Sequence, residues 1–217
     1  MPVQSETGQQ AGQTKLHFSR FEFKYLLPKD LREELETQFQ YFVELDPFVA
    51  GQPGSKYFVR SLYFDNDQRT HYWEKAEGLK HRKKFRLRTY TKEPRSETPQ
   101  FLEIKGRHNN LVFKHRTPLA KATGSGLHGL PFPNATTHDL LARLAPGPIR
   151  EQFEFDLHRR RIKPVTLVDY RRRPYVSKYD PEFRMTFDDS LQGVATDSLF
   201  PGSAARSRAV LPGYTIL

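Results

Sequence analysis

Basic side chains alternate with aromatic or aliphatic ones in several short segments of this 217-residue sequence. The run Lys84-Phe85-Arg86-Leu87-Arg88 is one example. Because successive side chains of a β-strand point to opposite faces of the sheet, each segment would place its cations on a single face. The cations collected in this way are Lys24, Arg86, Arg88, Lys105, Lys114, Arg116, Arg172 and Arg184, and the acids among them are Glu22, Glu103 and Asp188.

A face of this composition is suited to binding phosphate. Arginine can contact two phosphate oxygens at once, and lysine binds them as a point charge. The few acids on this face could hold a divalent metal, because Mg²⁺ and Mn²⁺ prefer carboxylate oxygen. For any one strand, a half-exposed sheet with its polar side in water is the simpler explanation. The recurrence of arginine and lysine on nearly every strand favours an anion site instead.

The composition restricts the class of protein. Lys and Arg number 35 against 25 Asp and Glu, which gives a net charge of +10 and predicts an anionic partner. The absence of cysteine excludes a disulfide scaffold, a Cys-ligated metal site and thiol catalysis. No phosphate-binding loop of the G-x-x-x-x-G-K-[ST] type occurs. With no apolar run of ~18 residues and no signal-peptide pattern, we expect a cytoplasmic protein; association with a membrane through a partner is left open.

The chain reads as one domain with a polar tail. Residues 1–15 offer almost nothing to bury and predict a disordered tail, and residues 16–217 predict a single domain. Within that domain, the Gly- and Pro-rich stretch from Lys121 to Pro133 predicts a loop.

Three helices are predicted from apolar spacing. The first follows Pro28 and places Leu31, Leu35, Phe39 and Phe42 on one side. The second covers about residues 67–77, with Trp73 expected in the core, and the third covers about residues 151–161. Strands are predicted at residues 20–25, 84–90, 101–107, 112–116, 166–172 and 183–188, with a hairpin turn near residues 107–111.

One arrangement accounts both for the charged faces of the strands and for the apolar surface that the amphipathic helices must cover. The fold class is α+β: an antiparallel β-barrel, closed or nearly closed, with its apolar face outward under the helices and its charged face inward. Cations lining such a tunnel would repel one another strongly, so the lumen must be wet and filled by anions. The aromatic positions alternate away from the cations, which argues against RNA stacked on the sheet. No nucleic-acid partner is therefore expected.

The ordered motifs of this chain resemble those of the VTC domain, the polyphosphate polymerase domain of the triphosphate tunnel metalloenzymes. They are Arg20-Phe21-Glu22-Phe23-Lys24-Tyr25, Ser61-Leu62-Tyr63-Phe64-Asp65-Asn66, Lys84-Phe85-Arg86-Leu87-Arg88-Thr89-Tyr90, Phe101-Leu102-Glu103-Ile104-Lys105, Lys114-His115-Arg116, Tyr170-Arg171-Arg172 and Arg184-Met185-Thr186-Phe187-Asp188. The resemblance covers roughly residues 18–217 and rests on seven motifs in order. Each motif alone is common by chance.

The resemblance implies a tunnel enzyme that transfers the γ-phosphate of ATP to a growing inorganic polyphosphate chain with Mn²⁺ or Mg²⁺. It assigns phosphate binding to all eight of the cations collected above. It makes Glu22 and Glu103 candidate metal ligands, although Glu103 could instead orient Lys105. Two alternatives stay open: a hydrolase of tripolyphosphate or organic triphosphates with the same fold, and a non-catalytic module that binds polyphosphate or another polyanion.

Two departures from the family pattern bear on the metal. Related enzymes often begin with E-x-E-x-K, whereas this chain has Arg20-x-Glu22-x-Lys24. The family's closing strand continues past a stretch like Leu211–Leu217 to a metal-binding glutamate, and the sequence in hand ends before that position. The expectation is a short closing strand that leaves the sheet with an open edge.

Overall fold

The computed structural model describes residues 17–94, 98–109, 111–120, 137–203 and 205–217. The predicted tail at residues 1–15 and the predicted loop at residues 121–133 lie outside the described residues. The strands are β1 His17–Arg20, β2 Leu26–Pro28, β3 Val43–Leu45, β4 Tyr57–Asp65, β5 His81–Thr89, β6 Phe101–His108, β7 Leu111–Pro118, β8 Lys163–Ser177, β9 Arg184–Ala195, β10 Arg208–Ala209 and β11 Tyr214–Ile216. The helices are α1 Lys29–Phe39, α2 Thr70–Ala76, α3 Thr137–Ala142 and α4 Pro148–Arg160.

All these strands belong to one antiparallel sheet. Its order is β1-β7-β6-β5-β4-β8-β9-β11-β2, while β10 pairs with β9 and β3 with β8. The sheet therefore begins at β1 and ends at β2, two strands that the chain joins through residues 21–25 alone. This order brings the two edges of the sheet close together. The α+β fold with a nearly closed antiparallel sheet is confirmed.

The larger core lies on the outer face of the sheet. Leu62 and Phe64 of β4, together with Phe85 and Leu87 of β5, pack there against α4, whose Phe153 is fully buried. The rings of Phe64 and Phe85 each lie 5.2 Å from the ring of Phe153. Because alternate residues of a strand face opposite sides, the same packing turns the even-numbered side chains of β5 to the inner face.

A smaller core lies at the other end of the outer face, beneath α1. Leu27, Met185 and Phe187 are buried there, with Leu35 and Phe39 of α1 packed against them. The helix buries Arg32 rather than Leu31, which is 41% exposed. The predicted apolar side of this helix is correct at residues 35 and 39 and wrong at Leu31 and Phe42, since both of these side chains are exposed.

Backbone hydrogen bonds hold one side of the seam between the sheet edges. The Tyr25 and Leu217 amides each donate to the other residue's carbonyl at 2.9 Å. Between the described residues of β1 and β2 themselves no ladder forms. The sheet is thus nearly closed rather than closed by hydrogen bonds.

Other sequence expectations need correction. The predicted strand at residues 20–25 is wrong beyond Arg20, because residues 21–25 cross from one sheet edge to the other and are not part of a strand, although Tyr25 extends the β2–β11 pairing through its bonds to Leu217. Its Phe21 and Phe23 are exposed. The prediction of Trp73 in the core is also wrong: α2 has only seven residues, its His71 faces inward, and Trp73 is 52% exposed.

Within the described part of the chain, no helix has the length and apolar character needed to cross a lipid bilayer.

Candidate phosphate-binding tunnel

The inner face of the sheet carries most of the predicted site residues. The cross-strand registers Arg86↔Glu103 and Glu103↔Arg116 align three strands there, and Tyr57↔Arg172 and Arg172↔Asp188 align three more. We call this surface the bore. Its charged side chains are Lys84, Arg86, Arg88, Glu103, Lys105, Lys114, Arg116, Arg172 and Asp188, joined by Glu22 from the segment that crosses the seam.

Glu103 occupies the centre of this charge cluster and is fully buried. Its Oε2 accepts from Arg86 Nε at 2.6 Å and lies 3.8 Å from Arg88 Nε, while Lys114 Nζ lies 3.0 Å from Oε1. Burial alone would raise the pKa of Glu103, but Arg86, Arg88 and Lys114 outweigh it and hold this pKa far below its usual range. The carboxylate therefore stays ionised and fixes the cations around it.

Two arginines of β5 are held in place by hydroxyl groups from other strands. Arg86 Nη1 donates to the Tyr63 hydroxyl at 3.0 Å, and Arg88 Nη2 donates to the Tyr170 hydroxyl at 3.0 Å. Both arginines are buried. Burial would lower the pKa of Arg86, but the neighbouring Tyr63 and Glu103 raise it. Both guanidinium groups are thus oriented before any ligand arrives.

Lys105 is bound by Glu22 and not by Glu103. Its Nζ lies 2.7 Å from both carboxylate oxygens of Glu22, which ties the crossing segment to β6. Burial lowers the pKa of Lys105 to about 8 despite Glu22, and burial lowers that of Lys114 to about 8 despite Glu103. The suggestion that Glu103 orients Lys105 is corrected, because Glu103 engages Arg86 and Lys114 instead. Lys24 lies 3.5 Å from Glu22 with its side chain largely exposed.

Arg116 and Arg172 lie on the bore walls. Arg116 stacks on Phe101, with its guanidinium carbon 4.2 Å from the ring centroid. Its Nε is buried and has no hydrogen-bond acceptor among the described residues. Arg172 forms a two-point pair with Asp188 at 2.6 Å for each bond and lies over the Tyr170 ring. Burial would lower the pKa of Arg172, but Tyr170 and Asp188 raise it.

Arg184 is the one predicted phosphate ligand that the fold sets apart. It lies at the start of β9 with its side chain 58% exposed, 3.5 Å from Asp46 outside the charge cluster. The other predicted cations are brought together in the bore or, in the case of Lys24, at the crossing segment.

The expectation that aromatic residues point away from the cations is wrong for part of the bore. Tyr57, Tyr63, Phe101 and Tyr170 share the inner face with the arginines. Alternation gave no signal for Tyr57 and Tyr63, because β4 is apolar on either side of Arg60 and Ser61. Phe101 and Tyr170 have the same parity as Glu103 and Arg172, and that spacing could have placed them on the inner face. The rings contact arginine side chains inside the sheet and do not form an open stacking platform.

The described residues do not form a metal centre on their own. No group of three or more acidic or histidine side chains among them lies close enough together to hold a metal ion. The two predicted ligands, Glu22 and Glu103, are both bound to basic side chains. A metal here would have to displace those cations, so we derive no step through a metal.

A separate cavity of about 460 Å³ lies on the outer side of the sheet, between α1 and the turn that precedes β11. Two of its cations, Arg32 and Lys56, are paired with Asp189 at 3.6 and 2.6 Å, and the third, Lys29, lies 3.8 Å from Glu33. The bore holds the larger unbalanced charge and is the better candidate site.

Comparison with solved structures gives a partial similarity. A crystal structure from Bacillus halodurans, provisionally assigned as an adenylate cyclase, has a TM-score of 0.46 and 12% identity, covering 91% of this chain and 79% of that chain. At this level of similarity nothing about activity is carried over. No curated protein sequence matches the chain.

The family model of the VTC domain matches residues 19–217. That match includes every strand that lines the bore from β4 to β9. It confirms the resemblance found from the ordered motifs. With a basic inner face on a nearly closed antiparallel sheet, this chain belongs to the VTC domain family and is a domain of the triphosphate-tunnel type.

Proposed function

We propose that the domain transfers the γ-phosphate of ATP to the end of an inorganic polyphosphate chain held in the bore. The observation that supports this most is the charge imbalance of the bore. Seven cations, Lys84, Arg86, Arg88, Lys105, Lys114, Arg116 and Arg172, share it with three carboxylates, Glu22, Glu103 and Asp188. A ligand rich in negative charge along its length would compensate this excess.

The chemistry requires few protein groups. Phosphoryl transfer depends mainly on positioning and on stabilising charge that develops on phosphate oxygens. If the terminal phosphate of the acceptor attacks the γ-phosphorus of ATP, one P–O bond forms, the bond to the β-phosphate oxygen breaks, and ADP leaves. Arg86, Arg88 and Arg172 are held rigidly enough to stabilise that charge without reorganising. Mn²⁺ or Mg²⁺ belongs to the proposal as a counter-ion that arrives with the phosphates.

A polyphosphate-binding module is the second candidate. It is favoured by the engagement of Glu22, Glu103 and Asp188 with basic side chains, since none of these carboxylates is left to a metal in the described structure. A bore of this kind could bind a polyanion tightly without turning it over.

One assay separates these functions. The chain is incubated with ATP and Mn²⁺, and the products are examined by gel staining for long polyphosphate and by measurement of free phosphate. Polymer together with ADP supports the polymerase. Phosphate without polymer indicates a triphosphate hydrolase, and tight binding of tripolyphosphate with neither product indicates a binding module. No binding of tripolyphosphate at all would overturn the assignment of the bore as a phosphate site.

A further inference from the structure

Tyr63 is a tyrosine of the bore that lies among the β5 cations. It is opposite Arg86 in the β4–β5 register and accepts a hydrogen bond from Arg86 Nη1 at 3.0 Å. Lys84 Nζ lies 5.5 Å and the Arg86 guanidinium carbon 5.9 Å from the centre of the Tyr63 ring. Nothing in the family motifs or in the polymerase proposal assigns this phenol a role.

Because the Tyr63 oxygen accepts this hydrogen bond, the hydrogen of the phenol remains available for a second bond. A phenol oxygen that accepts from a guanidinium still carries its own hydrogen, and arginine cannot accept it. That hydrogen needs an acceptor on the bore side, and phosphate oxygens are acceptors. Without such an acceptor, an anionic phenolate is the form that the surrounding cations favour.

The charged groups around Tyr63 come from β5, β6, α2 and the crossing segment. From β5 it faces Lys84, Arg86 and Arg88, and from β8 its register partner is the uncharged Thr166. From β6, the Glu103 carboxylate is bonded to Arg86 through that residue's Nε. Lys75 of α2 and Lys24 of the crossing segment add positive charge near Lys84.

We propose that Tyr63 is a phosphate-positioning residue that takes up a proton when a polyphosphate binds: phenolate beside Arg86 before binding, and phenol donating to a phosphate oxygen afterwards. The inference rests on the proposed function of the bore as a phosphate site. The proton comes from solvent, and no covalent bond to phosphorus changes in this step. The charge that the phosphate introduces beside Arg86 replaces the charge that the phenolate loses.

The electrostatics of the site agree with this exchange. Burial would raise the pKa of Tyr63, but Arg86, Arg88 and Lys84 together lower it to about 7. A bound polyanion opposes those three cations and raises the pKa again. At pH 7.5, a shift from about 7 to well above 9 corresponds to uptake of about 0.7 proton per chain.

Calorimetry with tripolyphosphate in two buffers of different ionisation enthalpy measures this uptake. At pH 7.5 the wild-type chain should take up about 0.7 proton more than Tyr63→Phe. Tyr175→Phe is the matched control, because the Tyr175 hydroxyl also bonds to a charged partner, Glu36 at 3.0 Å, but on the outer wall. This control should behave like wild type. Equal proton uptake by wild type and Tyr63→Phe, with both binding, overturns the proposal.

A spectroscopic titration of the wild-type chain separates this inference from the proposed function. Phenolate absorbs in the near ultraviolet at wavelengths where phenol does not. Without ligand, one tyrosine should ionise with a midpoint near pH 7, and tripolyphosphate at pH 7.5 should remove its band. If no phenolate forms below pH 9, the inference is wrong even where tripolyphosphate binds. If the band forms but tripolyphosphate neither binds nor alters it, the phosphate site fails and the proposed positioning role fails with it. This measurement does not depend on the folding of Tyr63→Phe.

Discussion

At the scale of single residues, the bore is organised around carboxylates that hold cations in place. Glu103 engages Arg86 and Lys114 and also lies 3.8 Å from Arg88, and Glu22 engages Lys105. Removing one member therefore changes both the charge of the site and the orientation of its neighbours. Replacing an arginine should affect turnover, replacing the central carboxylate should affect the free energy of unfolding, and deprotonating a lysine should affect phosphate binding.

Arg86→Ala should abolish turnover, because a positioned donor of this kind stabilises a transition state by about 2–4 kcal/mol. Arg172→Ala should do the same. Arg184→Ala is the matched control, since this arginine is exposed and lies outside the charge cluster. The rate of polyphosphate formation is measured with each variant, and folding is checked by circular dichroism. Full activity in Arg86→Ala or Arg172→Ala would remove that residue from the site.

Glu103→Ala should lower the free energy of unfolding by about 3–5 kcal/mol, because it leaves buried cations without their counter-charge. Tripolyphosphate should restore part of this loss by supplying negative charge in the bore. Chemical denaturation with and without tripolyphosphate measures both effects, and Glu34→Ala on the exposed side of α1 serves as control. A variant as stable as wild type would show that Glu103 does not compensate these cations.

Binding of tripolyphosphate should weaken as the pH rises above 8. Lys105 and Lys114 each have a pKa of about 8 in the folded chain, so they lose the protons that phosphate binding requires. If only the charged forms bind, each lysine reduces affinity about fivefold between pH 8 and 9. Calorimetry from pH 7.5 to 9.5 tests this. Lys105→Arg, which keeps its charge, should show a shallower decline, and an identical decline would exclude Lys105 as its source.

At the scale of elements, the helices position the bore from outside. The fully buried Phe153 of α4 packs on Phe64 and Phe85, which are sequence neighbours of Tyr63 and Arg86. Because a strand alternates its faces, fixing the outer residue also fixes the direction of the inner one. The polar inner face is thus held in register by an apolar outer contact.

Phe153→Ala should reduce the free energy of unfolding by about 3–5 kcal/mol through lost burial and a residual cavity. Phe155→Ala, on the same helix but 56% exposed, should change it by less than about 0.5 kcal/mol. Denaturant midpoints of the two variants provide the comparison. Similar losses from both substitutions would mean that α4 does not anchor the sheet through Phe153.

At the scale of the whole molecule, the sheet is nearly closed, with its seam between β1 and β2. Beside this seam, the Tyr25–Leu217 backbone bonds extend the β2–β11 pairing, and the Glu22–Lys105 ion pair ties the crossing segment to β6. The central strands β4, β5 and β8 have neighbours on both sides. Stability should therefore be lowest at the seam, since local opening is easiest where few backbone bonds cross.

Hydrogen exchange of the 217-residue chain should begin at the seam. Peptides that cover residues 21–28 and 211–217 should exchange well before peptides that cover β4 and β5, as followed by mass spectrometry. Tripolyphosphate should slow exchange in the crossing segment if its phosphates contact Lys105 beside Glu22. Equal protection of the seam and of β5 would contradict this description of the sheet.

The sequence by itself determined the strand faces, the excess of cations and the family. Alternation with a period of two is a local property, so the sequence alone assigns Arg86, Arg88, Glu103 and Lys105 to one face. The ordered motifs were likewise sufficient to identify the VTC domain family, which the match over residues 19–217 confirms.

Only the tertiary structure decided which side chains meet. The pairing of Glu22 with Lys105 depends on the path of the chain across the seam. The separation of Arg184 from the charge cluster depends on the order of the strands. Tyr63 was hidden because β4 is buried on both faces and shows no alternation that would distinguish its bore side. Local spacing carries no information about contacts between segments distant in sequence, and those contacts create the charge environment of the bore.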